Sequence, residues 1–163
     1  MRRVFSFPNP VNETAARTVA AVVAVLCVVI VATGWLWLTV PLAYGFLARV
    51  LTGPTLSPVG QLATRVVAPR LPVKLVPGPP KRFAQAIGAA LSTGAVVAHF
   101  AFGADLSAVV LVGAIALAAT LESVFAFCLG CEIFALLMRA GLVPASVCLE
   151  CADISKRLAA PTG

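Results

Sequence analysis

Four apolar runs, residues 18–33, 35–48, 83–102 and 106–127, take up most of this 163-residue chain, and all twelve of its Lys and Arg residues fall outside them. Runs of this kind, coiled as helices rising ~1.5 Å per residue, can cross roughly 30 Å of hydrocarbon. Inside a bilayer the backbone has to satisfy its own hydrogen bonds, which helices do within one segment. The composition agrees: 61% hydrophobic and 11% charged, where a soluble domain is about half apolar and about a quarter charged. The expected architecture is all-α, a single membrane domain over residues 1–163. It has four transmembrane helices in two hairpins, at about 13–33, 35–51, 83–102 and 106–127, plus an interfacial helix and a cytoplasmic C-terminal helix.

Charge orients these spans. The basic residues sit in the N-terminal tail (Arg2, Arg3, Arg17), the middle loop (Arg49, Arg65, Arg70, Lys74, Lys81, Arg82) and the C-terminal tail (Arg139, Lys156, Arg157). The connections at Gly34 and between Gly103 and Asp105 carry none. By the positive-inside rule both termini and the middle loop, 53–82, are expected on the cytoplasmic side. The net charge of +6 is thus read as orientation and contact with the lipid bilayer; no nucleic acid partner is expected, since no polar face gathers the cations with aromatics between them. Pro8 and Pro10 precede the first apolar run, and no small-residue cleavage site follows it, so a cleavable signal peptide is not expected.

Local signals refine this outline. Asn12 is placed to cap the first helix, with Glu13 at the positive end of its dipole. Thr33-Gly34 marks a break, Trp35 and Trp37 suit the outer interface, and Pro41 predicts a kink in the second span. The middle loop holds seven of the twelve prolines. Within it Ser57-Pro58 reads as the start of a short interfacial helix with Val59, Leu62, Val66 and Val67 on its apolar face. Residues 69–80 are expected extended, with few hydrogen bonds. In the third span Ala86, Ala90, Gly94 and Ala98 form a small-residue ridge expected to pack against Ala114 and Ala118 of the fourth.

Chemistry is concentrated in the cysteines. Cys128 and Cys131 form one CxxC pair, Cys148 and Cys151 a second, and sixteen residues separate them. In a helix that spacing sets both sulfurs of a pair on one face. Gly141 and Pro144 fit a turn between two antiparallel helices across residues 128–158. Both pairs then lie at or beyond the cytoplasmic face, where thiols stay reduced and structural disulfides are not expected. Three readings remain open: a thiol redox or sulfur relay, a structural four-cysteine zinc knot with all four as ligands, or inert cysteines. The relay needs no cofactor. Cys128, nearer the membrane, is expected to attack and Cys131, beside Glu132, to resolve. Gly130 between them is expected to loosen the helix and expose backbone.

Glu122 is the carboxylate within a span and so a functional candidate, with an interfacial or hydrogen-bonded carboxylate as the plainer reading. His99 lies toward the opposite end of the third span, too far from Glu122 for a shared proton. Cys27 reads as a small core side chain. One histidine excludes a multi-His metal centre, and no nucleotide-binding glycine loop or Ser-His-acid set is present.

Five segments together resemble a bacterial membrane family: Phe7-Pro8-Asn9-Pro10-Val11-Asn12-Glu13, Gly34-Trp35-Leu36-Trp37, Arg49-Val50-Leu51-Thr52-Gly53-Pro54, Pro79-Pro80-Lys81-Arg82-Phe83, and Leu121-Glu122-Ser123 through Phe127-Cys128-Leu129-Gly130-Cys131. The family is that of domain of unknown function 4395. The resemblance implies a bacterial inner-membrane location and carries over Cys128, Cys131 and Glu122, the second pair less firmly. It also implies a soluble thioredoxin-like or sulfurtransferase partner, since relatives are often encoded beside such proteins. It implies no biochemical activity. A membrane scaffold or small-solute carrier is the alternative of a different class.

Overall fold

Asn12 begins the first helix in the way its sequence position predicts: its side chain accepts a hydrogen bond from the Thr14 N–H at 3.0 Å, and α1 runs Glu13–Thr33. Gly34 ends it in the left-handed conformation, φ +71°, where a Cβ would be strained. In this computed structural model the described residues are 7–149 and 151. Arg2, Arg3, Glu150, Lys156, Arg157 and the expected helix beyond residue 151 lie outside them.

A 3-10 turn, Leu36–Leu38, leads into α2, Thr39–Thr52. Pro41 therefore falls in the first turn of α2, where its missing N–H costs no helical bond, instead of kinking a span. Ser57 caps α3, Pro58–Leu62, by accepting from the Gly60 N–H. The coil continues as a π turn, Ala63–Val67, and a 3-10 turn, Ala68–Arg70. Its inward face is small, Gly60, Ala63 and Ala68, while Leu62 and Val66 are exposed.

The segment after it differs from expectation. Leu75–Val76 (β2) pairs antiparallel with Val11–Asn12 (β1), a two-stranded ribbon that the prolines conceal in the sequence. The Glu13 N–H donates to the Lys74 carbonyl at 2.8 Å, the Thr14 hydroxyl to the Pro72 carbonyl at 2.9 Å, and Lys74 pairs with Glu13 at 2.7 Å. α4 then starts at Gly78 and runs to Phe100, five residues ahead of its apolar run. Pro79 and Pro80 occupy the first turn, where proline is tolerated, so Lys81 and Arg82 are helical residues and not loop charges.

α5, Asp105–Phe125, follows after a turn in which His99 Nδ1 and Asp105 Oδ1 lie 2.6 Å apart. α6, Leu129–Arg139, and a 3-10 turn, Ala145–Val147, complete the described chain. Three helices, α1, α4 and α5, are long and apolar enough to cross a membrane, and the stretch Leu36–Thr52 is apolar but shorter. Outward residues of α5 such as Leu106, Val110 and Leu117 are as apolar as its core, the pattern of a helix that faces lipid.

Pairing of the helices departs from two sequential hairpins. α4 packs on α5, but α1 and α2 hardly touch; α1 lies along α5, and α2 along α4. The seam of α1 is Ala15, Val19, Val23, Cys27 and Ile30, and that of α5 is Ala108, Val112, Ile115 and Ala119. In α4 the buried positions beyond the first turns are Gly88, Ala89, Ser92 and Ala95, whereas Ala86 and Ala90 of the expected ridge are exposed, as is Ala114 of α5. Gly88 explains the choice. A Cβ there would stand 2.2 Å from the Phe46 ring, so α2 can approach only at this residue's bare backbone.

Candidate functional site

α5 stops because Ala126 takes a left-handed conformation, φ +56°, its N–H bonding back to the Leu121 carbonyl. Cys128 follows in extended backbone as the N-cap of α6, and Cys131 sits in the first turn. The N–H groups of Cys131 and Glu132 donate to the Cys128 carbonyl at 3.0 and 3.1 Å. The pair therefore straddles a helix N-terminus, where the dipole favours a thiolate. This differs from both sulfurs riding within one continuous helix.

Gly130 does not loosen this helix. It is buried, with the Ala84 Cα only 2.6 Å from where its Cβ would be, so α6 is laid directly on the start of α4. The Phe83 and Phe134 rings, 5.6 Å apart, close the same contact. Through it the first turn of α4 reaches the cysteines. Lys81, 7% exposed, forms an ion pair of 2.6 Å with Glu122. Glu122 is thus neutralised from a neighbouring helix rather than by reaching solvent.

Cys128 is held below its ordinary value of 9.0, first by the hydrogen bond it receives from the Cys131 thiol and then by the Lys81 ammonium; burial and Glu122 oppose this. Cys131 is pushed up, first because its proton is engaged with Cys128 and next by burial. Cys128 is the more acidic thiol, and the cause is this hydrogen bond, not Glu132. Both sulfurs border a crevice of about 210 Å³ whose walls include Val76, Pro77, Lys81 and Phe127. Cys128, 8% exposed, also borders a cavity of about 260 Å³ that reaches Arg49 and Glu122.

The second pair is placed differently. Cys148 and Cys151 are joined in a disulfide, Cα to Cα 5.2 Å, against the expectation of reduced thiols. A single turn brings residues three apart within bridging distance. The four sulfurs are not gathered as the zinc knot requires, because two of them bond each other and, among the described residues, no group of three or more His, Cys, Asp and Glu side chains is placed to hold a metal. Cys27 is fully buried in the core and remote from either pair in the chain.

In the sequence Lys81 and Arg49 stand only as orienting charges. Lys81 shares a helical face with Gln85, Gly88 and Ser92 once the diproline is taken as a helix start, and that spacing is the signal for its burial. Arg49 is 6% exposed; its Nε donates to Gln85 Oε1 at 2.7 Å and its Nη1 to the Ser57 hydroxyl at 3.3 Å. No local signal marks it. Arg17 donates to the carbonyls of Ser123 and Val124, capping the end of α5 from α1.

These features define an all-helical protein with three helices suited to cross a membrane and a cysteine pair at the N-terminus of a helix beyond the last of them. The family profile described as domain of unknown function 4395 matches residues 11–139, and the chain belongs to that family. No curated protein and no solved structure matches the chain. The matched region includes Cys128, Cys131, Glu122, Lys81 and Arg49, and stops short of Cys148 and Cys151.

Proposed function

We propose that the protein is a thiol relay at the cytoplasmic face of the bacterial inner membrane, working through Cys128 and Cys131 on a soluble thioredoxin-like or sulfurtransferase partner. The observation that carries this is the placement of Cys128 at the N-cap of α6 with Cys131 in the first turn, both bordering one crevice beside Lys81. In exchange with a disulfide, the Cys128 thiolate attacks one partner sulfur, the other leaves as thiolate, and a mixed disulfide forms. Cys131 then gives up its proton and attacks the Cys128 sulfur. The partner leaves as a dithiol and the pair as a Cys128–Cys131 disulfide, two electrons having passed to the partner. With a persulfide the Cys128 thiolate takes the outer sulfur, becoming a persulfide itself, and the partner leaves as thiolate. Glu122 acts through Lys81, fixing the ammonium near the reacting sulfur. The Cys148–Cys151 disulfide can accept the same two electrons in place of a partner's disulfide, opening to two thiols as Cys128–Cys131 closes.

The membrane arrangement belongs to this reading. Four crossings, with the shorter stretch Leu36–Thr52 as the second, α3 at the interface and both termini cytoplasmic, form one membrane domain. Support comes from Arg17 on the end of α5, Arg49 on the start of α4 and Arg82 on the Val50 carbonyl, which gather the cations at one end of the bundle. The end with His99 and Asp105 has neither Lys nor Arg in its turn.

A Cys131→Ser variant is expected to accumulate a reducible covalent adduct with a thioredoxin-like or sulfurtransferase protein, detected on non-reducing gels, and Cys128→Ser is not. The burial of Cys128 and the close fit of Gly130 favour a second reading, a membrane scaffold or small-solute carrier with structural cysteines. That reading takes over if neither variant traps a partner and both melt at lower temperature.

A further inference from the structure

Arg49 borders two cavities, the one of about 260 Å³ that also reaches Cys128 and Glu122 and a second of about 200 Å³ beside the N-terminal segment. Although 6% exposed, Arg49 makes no ion pair among the described residues, and its Nη2 is buried without a hydrogen-bond partner among them. Around the two cavities Arg49 and Lys81 face a single carboxylate, Glu122, which Lys81 already engages at 2.6 Å. The Arg49 guanidinium, stacked on the Phe46 ring 4.6 Å from its centroid, is left without a carboxylate of its own. An unmatched ion away from water is costly unless an anion joins it, and a guanidinium holds oxyanions with two parallel donors. Gln85, whose oxygen accepts from Arg49, borders both cavities and keeps its amide nitrogen as a further donor.

The remainder of the larger cavity is apolar, walled by Val19, Val23, Leu91 and Ile115. We propose that it binds an amphiphilic anion, its acidic oxygen-bearing head on Arg49 and Gln85 and its hydrocarbon body among those side chains. This inference is independent of the cysteine relay. The head belongs either to an anionic membrane lipid or to a free amphiphile, and the test separates the two.

Detergent-purified protein is titrated with octanoate, octyl phosphate, octanol and inorganic phosphate, reading thermal shift and native mass spectra. Octanoate or octyl phosphate is expected to bind at least tenfold more tightly than octanol or inorganic phosphate, and Arg49→Met is expected to abolish the difference. Ala114 borders the same cavity at its exposed edge, so Ala114→Phe, which narrows the cavity while keeping Arg49, is expected to weaken the octyl probes and leave the melting temperature of the free protein unchanged; it decides the matter if Arg49→Met does not fold. Equal binding of octanoate and octanol overturns the proposal, as does unchanged binding in a folded Arg49→Met, or binding of inorganic phosphate as tight as that of octyl phosphate. Arg49-dependent retention of phosphatidylglycerol on release from nanodiscs assigns the head to lipid, and retention of the octyl probes alone assigns it to a free amphiphile.

Discussion

The acidity of Cys128 depends on two neighbours that can be removed singly. In the wild type, its alkylation rate, followed by mass spectrometry across pH, is expected to reach half-maximum below 9.0. Cys131→Ala removes the donated hydrogen bond, so the Cys128 pKa rises, the thiolate fraction at neutral pH falls, and the midpoint moves to higher pH. Lys81→Met shifts it the same way by removing a positive charge. An unmoved midpoint in both would disconnect the thiol from its surroundings. The Lys81–Glu122 pair makes a separate prediction: Glu122→Gln leaves a largely buried ammonium without its partner, for about 3 kcal/mol of destabilisation. Replacing both by Met and Leu should recover most of that loss in thermal unfolding, because no lone charge then remains.

At the scale of elements, the seating of α6 on α4 rests on the missing side chain of Gly130. In Gly130→Ala the new Cβ meets the Ala84 Cβ at 2.5 Å and its Cα at 2.6 Å, so the two helices have to separate, at about 1–3 kcal/mol. Faster alkylation of Cys128 and a lower melting temperature are the expected readouts. Gly113→Ala is the control: nothing lies within 4 Å of its Cβ, and helix propensity alone predicts stabilisation by up to ~1 kcal/mol. Equal effects of the two substitutions would remove the packing argument.

Among the described residues Arg17, Arg49, Lys81 and Arg82 gather at one end of the bundle, and the proposed orientation rests on that. In a chain otherwise free of cysteine, Asp105→Cys in intact cells should react with an impermeant maleimide, while Lys74→Cys should react only after the membrane is opened. Labelling of position 74 from outside would reverse the topology and place the cysteine pair in an oxidising compartment, ending the cytoplasmic relay.

Helix positions were legible in the sequence because they are set locally. The apolar runs, Asn12 and Ser57 as caps and Gly34 as a left-handed stop each act within a few residues. Even Cys128 and Cys131 stood out, as a spacing does not depend on the rest of the fold. The local rules failed where partners are distant in sequence. The ribbon between Val11–Asn12 and Leu75–Val76 spans more than sixty residues, and prolines masked it. Which helices pair was decided by close fits, Phe46 on Gly88 and Ala84 on Gly130, that hydrophobic periodicity does not record. Lys81 and Arg49 are legible in the sequence as charges that flank the apolar runs; only the tertiary structure turns them inward, where Lys81 finds Glu122 on another helix and Arg49 is buried beside a cavity. A charge's sidedness is a property of its segment, but its burial depends on what the neighbouring helices bring to it.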